Sequence, residues 1–105
     1  MRTQRTNVDL FDIAQAAALK GEQTIAERGH GTLVLEESVR AQLLKKARNC
    51  LRGASVTGIP GLKDFGYARA EKIAEFVRKY SPKTEEADAL LAEIREKTPT
   101  HYAHA

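Results

Sequence analysis

Residues 52–80, RGASVTGIPGLKDFGYARAEKIAEFVRKY, decide how this chain is expected to fold. Apolar residues in their second half recur at i, i+3, i+4 and i+7, the stripe typical of an amphipathic helix with one buried face. The residues of this stripe are Ala70, Ile73, Ala74 and Val77. Gly66 precedes the stripe and suits a turn that needs a positive φ. The pattern therefore predicts a short helix, a tight turn at Gly66 and a longer helix over 67–80.

The segment before Gly66 has two interpretations. With Thr57 as N-cap, Pro60 falls in the first turn of a helix, where its missing N–H costs nothing. Alternatively, residues 57–61 (TGIPG) form a loop rich in glycine and proline, which removes the first of the two helices. In the helical interpretation, Phe65 is expected to fill the core between the two helices.

Basic and aromatic residues lie off the apolar stripe of residues 67–80. Three of them, Tyr67, Arg69 and Lys72, occupy the opening turns of the predicted helix. A short helix, a glycine turn and a helix that begins with such residues form the layout of a helix-turn-helix, whose second helix enters the DNA major groove. This layout predicts a helix-turn-helix over residues 55–80 with 67–80 as its recognition helix.

The same stretch resembles the helix-turn-helix of the gamma domain of FtsK-type DNA translocases, a small winged-helix module. The family pattern is Ala-Ser-hydrophobic-Ser-Gly-hydrophobic, then, after a spacer, Gly-Tyr-x-Arg-Ala-x-basic-Ile. This chain matches it with ASVTGI at 54–59 and GYARAEKI at 66–73. Ala68 stands where the family usually has a polar, base-reading residue, and Ser81-Pro82 begins another predicted helix where the family has its wing. The resemblance implies DNA binding through the second helix.

Each candidate DNA-binding residue has an expected contact. Arg69 is the best base reader, because a guanidinium bidentate to guanine is the commonest specific contact, and Lys72 is expected to reach the groove or its edge. Tyr67 either places its hydroxyl on a phosphate or packs its ring on Phe65, and the resemblance favours DNA. Lys79 is a further candidate on the same helix. Phosphate contacts, which position a domain without reading sequence, are expected from Lys45, Lys46, Arg48, Arg52 and Lys63.

The distribution of charge supports this assignment. The 105 residues carry a net charge of only +3, but residues 40–80 carry +7, whereas residues 1–39 and 81–105 carry −2 each. A basic block between mildly acidic ends predicts an electrostatic footprint for nucleic acid on one surface. The alternative is a solvated helical face, which is the usual role of a charge run.

Other classes of function find little support in the sequence. No apolar run approaches the length of a membrane span and no signal segment is visible, while a single cysteine, Cys50, fits a reducing cytoplasm. The histidines His30, His101 and His104 match no standard zinc spacing with Cys50. Because no nucleophile elbow or phosphate-binding glycine loop is present either, we expect neither an enzyme nor a cofactor or metal.

The rest of the chain predicts a mostly α-helical domain over residues 9–98, between a flexible arm at 1–8 and a disordered tail at 99–105. Asp9 is a good N-cap for a first helix that either ends at Gly21 or continues to about Arg28. A second helix is expected over 36–52, capped by Gly53, and a last helix from Ser81 or Thr84 to Lys97. The β-prone run 32–35 predicts at most one short strand, paired across a dimer, or an extended connector.

The predicted function is DNA binding, as a transcriptional regulator or DNA-organising factor of a bacterium, phage or plasmid. The alternative is a small protein-binding inhibitor or antitoxin that blocks a larger partner. Helix-turn-helix modules commonly bind two half-sites as dimers. The apolar stripe of the last helix is therefore expected either to pair with a second copy or to fold back on the first helix. Its residues are Ala87, Leu90, Leu91 and Ile94.

Overall fold

The computed structural model describes residues 9–97, which form four helices and, within that range, no strand. The helices are α1 (Leu10–Arg28), α2 (Glu37–Val56), α3 (Pro60–Tyr80) and α4 (Glu85–Lys97). The predicted mostly-α class is confirmed, and the run 32–35 is a connector rather than a strand. None of the four helices is both long and apolar enough to span a bilayer. The predicted arm at 1–8 and tail at 99–105 lie outside the described residues.

The chain divides into two compact units, Met1–Val34 and Leu35–Ala105. In the first unit the Asp9 side chain accepts a hydrogen bond from the Phe11 backbone N–H at 3.1 Å, as an N-cap does. The helix continues through Gly21 and is closed by Gly29 in the left-handed conformation. A Cβ on Gly21 would lie 2.9 Å from Leu33 Cδ1, so the glycine leaves room for that side chain.

In the second unit, α2, α3 and α4 form a three-helix bundle. Hydrogen bonds at both ends show that α2 and α3 are antiparallel. The Leu35 N–H, just before α2, donates to the Tyr80 carbonyl at the end of α3, and Lys63 near the start of α3 donates to the Ala54 carbonyl near the end of α2. The core of the bundle consists of Leu43, Leu44, Ala47, Leu51, Ala54, Tyr67, Ala70, Ile73, Ala74, Val77, Ala87, Leu90, Leu91 and Ile94. The stripe predicted for α3 is thus confirmed.

The turn predicted at Gly66 is wrong, because α3 is continuous from Pro60 to Tyr80. A Cβ on Gly66 would lie 2.7 Å from the Ala54 Cβ and 3.1 Å from the Cys50 carbonyl oxygen. The glycine therefore serves a close approach of α2 and α3, not a positive φ. The helix-turn-helix predicted over residues 55–80 therefore lacks its turn at Gly66. Residues 67–80 are the second part of α3 and not a separate recognition helix.

The end of α2 and the start of α3 lie close together in the chain. α2 continues past Gly53 to Val56, so the predicted glycine cap is wrong. Pro60 lies in the first turn of α3, where no N–H is needed, as the helical interpretation required, but the N-cap is Ile59 and not the predicted Thr57. Only residues 57–59 connect the two helices. The pair is an α-helical hairpin with a three-residue connection.

The apolar face of α4 is buried within the chain. Its four residues are between 0 and 3% exposed, so they contribute to the core of the bundle. The assignment of these side chains to a dimer contact is therefore corrected, because they have no surface left for a second copy. They do fold back within one chain, but in a bundle with α2 and α3. The residues concerned are Ala87, Leu90, Leu91 and Ile94.

Candidate nucleic-acid interface

One face of α3 brings together two of the predicted DNA-binding residues. Phe65, Ala68, Arg69 and Lys72, at i, i+3, i+4 and i+7, line a shallow depression of about 100 Å³. We call these four residues the α3 stripe. None of them is acidic. Lys79 is exposed two turns beyond Lys72, about 10 Å further along the helix axis at ~1.5 Å per residue.

Tyr67 does not lie on this face. It is only 4% exposed and belongs to the core of the bundle, whereas Phe65 is 66% exposed. In a continuous helix, residues two positions apart point to nearly opposite sides. Without a turn at Gly66, Tyr67 therefore points into the bundle and Phe65 points out. Of the two roles considered for Tyr67, packing is the one observed, although not on Phe65. The core position predicted for Phe65 is wrong.

The predicted phosphate contacts Arg48 and Arg52 lie in a different place. With Leu51, Ser55, Glu93 and Lys97 they line a groove of about 300 Å³ between α2 and α4. This groove shares no residue with the α3 stripe. Of the basic residues in the block 40–80, Arg69 and Lys72 thus line the depression on α3, and Arg48 and Arg52 line the groove between α2 and α4. Lys45 is exposed on α2, and Lys46 is half-buried.

Lys63 closes the end of a helix. Its Nζ donates to the Ala54 carbonyl oxygen at 3.0 Å and lies 5.9 Å from the centre of the Tyr67 ring. The last carbonyls of a helix have no intrahelical partner, and a lysine near the C-terminus satisfies them favourably. Lys63 therefore stabilises the α2–α3 hairpin, a role that the sequence did not indicate.

A second role missed from the sequence belongs to Arg40, which is 9% exposed. Its Nε donates to Glu37 Oε1 at 3.2 Å and its Nη1 to Glu86 Oε1 at 3.0 Å, while Arg48 Nη2 donates to Glu86 Oε2 at 3.1 Å. The Arg40 hydrogen bond lowers the pKa of Glu37, and hydrogen bonds from Arg40 and Arg48 lower the pKa of Glu86. The pairs with Glu86 join α2 to α4, and all three pairs remove part of the positive charge from the predicted footprint.

An exposed apolar cluster surrounds the connection between α2 and α3. Its members are 56–78% exposed: Val56, Ile59, Leu62 and Phe65. Single exposed apolar residues are common, but four within ten positions of the sequence indicate a contact surface. The helical period predicted only the buried stripe of α3, and Leu62 and Phe65 lie on the other side of that helix.

Within residues 9–97, no group of three histidine, cysteine or acidic side chains is placed to hold a metal ion. His101 and His104 lie outside that range. Comparisons of the chain with protein-family models, with curated proteins and with solved structures find no match.

Proposed function

We propose that this chain binds double-stranded DNA through α3, with the α3 stripe against the major groove. The observation that carries the proposal is that Arg69 and Lys72 line one depression with Phe65 and Ala68, whereas the groove lined by Arg48 and Arg52 also includes Glu93. Arg69 and Lys72 both have the chemistry of base-edge contact, since Arg and Lys donate to guanine O6 and N7.

The dimensions of α3 fit this role. The stripe from Phe65 to Lys72 covers about 10 Å of helix, close to the ~12 Å width of the major groove. Ala68 adds little bulk between the longer side chains, so the helix backbone can approach the bases. Lys79, about 10 Å beyond Lys72, is proposed to contact the phosphate backbone, where contacts give affinity without sequence preference.

Salt dependence of DNA binding tests the proposal. Fluorescence anisotropy with a labelled mixed-sequence duplex is measured at several salt concentrations. The wild type is expected to lose affinity steeply with salt, and Lys72→Ala to lower the slope of log K against log salt by about one. Lys83→Ala, an exposed lysine outside the stripe, is the matched control. Equal effects of Lys72→Ala and Lys83→Ala would contradict the proposal.

Selection from a pool of random-sequence duplexes tests whether the chain is a transcriptional regulator or a DNA-organising factor. A transcriptional regulator enriches a sequence, whereas a DNA-organising factor retains the pool nearly unchanged. For an enriched sequence, Arg69→Ala is expected to lose about 1–3 kcal/mol of binding and to relax preference at one position. Loss of affinity that is equal on enriched and random DNA would remove Arg69 from base reading.

A second candidate function, a protein-binding inhibitor or antitoxin, is favoured by the exposed apolar cluster at the hairpin tip (Val56, Ile59, Leu62 and Phe65). Apolar patches of this kind mark protein contacts. In this function the chain shows no affinity for DNA even at low salt, and the lysine substitutions have no effect. The anisotropy measurement therefore distinguishes the two functions.

A further inference from the structure

The α3 stripe contains apolar as well as basic side chains. Phe65 is 66% exposed and lines the same depression as Arg69 and Lys72. Leu62, one turn before Phe65, is 56% exposed. A molecule seated in this depression therefore meets the Phe65 ring and the Ala68 methyl group as well as the two basic side chains.

Burial of these apolar groups is favourable only against another apolar surface. On the edges of the bases in the major groove, the apolar group is the C5 methyl of thymine, and alanine and phenylalanine are among the side chains that contact it. The two apolar residues of the stripe thus match thymine, as its two basic residues match guanine.

A second copy of the chain is a poorer match for the same surface. In a two-fold symmetric contact the same patch of both copies meets. Such a contact would bring Arg69 and Lys72 of both copies, four positive charges, into one interface, which is repulsive. The charge of the stripe favours a polyanion over a second copy.

We propose that the α3 stripe reads thymine methyl groups through Phe65 and Ala68, so that the preferred DNA contains thymine beside the guanine contacted by Arg69. This inference rests on the proposed DNA binding. It assigns a sequence-reading role to Ala68, the position at which the resembled translocase family usually has a polar residue. It also gives the exposed Phe65 ring a partner of defined chemistry.

Replacement of thymine by deoxyuridine tests the inference, because it removes only the C5 methyl group. Two labelled 30-base-pair duplexes of the same mixed sequence are compared, one with thymine and one with deoxyuridine at every thymine position. The wild type is expected to bind the thymine duplex about three- to fivefold more tightly for each methyl group covered, from the transfer free energy of one such group. Equal affinity for the two duplexes overturns the inference but leaves DNA binding intact. Absence of binding to either duplex overturns both proposals.

Variants identify the residue that contacts the methyl group. Phe65→Ala is expected to bring the ratio of the two affinities close to one while binding to the deoxyuridine duplex persists. Val56→Ala, which removes an exposed apolar side chain from α2, should keep the wild-type ratio. Phe65→Gln, which retains a helix-forming residue, gives a second variant, and circular dichroism verifies that each is folded. If Phe65→Ala changes the sedimentation coefficient and not the ratio, the stripe is a protein contact and the inference fails.

Discussion

A Cβ atom placed on Gly66 would lie 2.7 Å from the Cβ atom of Ala54. This distance is below normal van der Waals contact, so the hairpin of α2 and α3 depends on a glycine at this position. The Cys50 carbonyl oxygen, at 3.1 Å, restricts the same space from the backbone of α2. The residue that the sequence indicated as a turn instead sets how closely two continuous helices pack.

Gly66→Ala is therefore expected to destabilise the fold. Overpacking costs about 1–3 kcal/mol, against up to ~1 kcal/mol gained when alanine replaces glycine within a helix. Urea unfolding followed by circular dichroism measures the difference. Gly53→Ala is the matched control, because Gly53 also lies within a helix and an added Cβ there meets no atom within 4 Å. We expect Gly53→Ala to raise stability by up to ~1 kcal/mol.

A double-mutant cycle distinguishes crowding from a requirement for positive φ. If crowding is the cause, Ala54→Gly removes the nearest atom and relieves part of the cost of Gly66→Ala, giving a coupling energy of about 0.5–3 kcal/mol. If Gly66 instead required a positive φ, Ala54→Gly would not reduce the cost of Gly66→Ala. Additive effects of the two substitutions would contradict the close-approach explanation.

Local chemistry made two of the helix starts predictable. Asp9 caps α1 as predicted, and Pro60 lies in the first turn of α3, as one of the two interpretations of residues 57–61 required, because side chains and ring geometry act within one turn of the chain. The turn at Gly66 was mispredicted because a glycine with positive φ and a glycine under a neighbouring helix look alike in sequence. Only the position of Ala54 separates them.

In the candidate site, too, arrangements within one helix were predictable and contacts between helices were not. Arg69 and Lys72 are three residues apart, so the period of one helix was enough to place them together. Arg48, by contrast, pairs with Glu86, which is 38 positions away in the chain. Because the sequence does not reveal such a distant contact, Arg48 was predicted to bind DNA. Tyr67 was misplaced for a related reason, since its direction follows from the continuity of α3.

The burial of Leu90 leads to a prediction opposite to that of a dimer contact. Leu90 is 3% exposed within the bundle, so Leu90→Glu would place a charge in the core and is expected to unfold the protein. Ala89→Glu, at the neighbouring exposed position of α4, should leave the far-ultraviolet circular dichroism unchanged. A Leu90→Glu variant with the wild-type spectrum and melting temperature would contradict the burial of α4.

Acid stability should depend on the pairs that join α2 to α4. The pKa of Glu86 is lowered by hydrogen bonds from Arg40 and Arg48. Because its folded pKa is below the unfolded value of about 4.3, its contribution to stability is present above that pH and is lost as the pH falls through the folded pKa. Glu86→Gln should therefore make the loss of stability below about pH 4.5 less steep. Urea midpoints between about pH 7 and pH 3 measure the slope. Glu85→Gln, an exposed neighbour, should retain the wild-type slope, and equal slopes in all three proteins would contradict the assignment.

Substitutions of Lys63 and Lys72 are expected to have different effects, because Lys63 stabilises the fold and Lys72 is proposed to bind DNA. Lys63 Nζ donates to the Ala54 carbonyl oxygen at 3.0 Å, so Lys63→Ala should lower stability by about 0.5–1.5 kcal/mol, the usual net value of such a hydrogen bond. Lys72 is exposed on the α3 stripe, so Lys72→Ala should leave the urea midpoint nearly unchanged and lower the salt dependence of DNA binding. Each variant is thus measured in both assays. A reversal, in which Lys63→Ala changes DNA binding more than stability, would return Lys63 to the set of phosphate contacts.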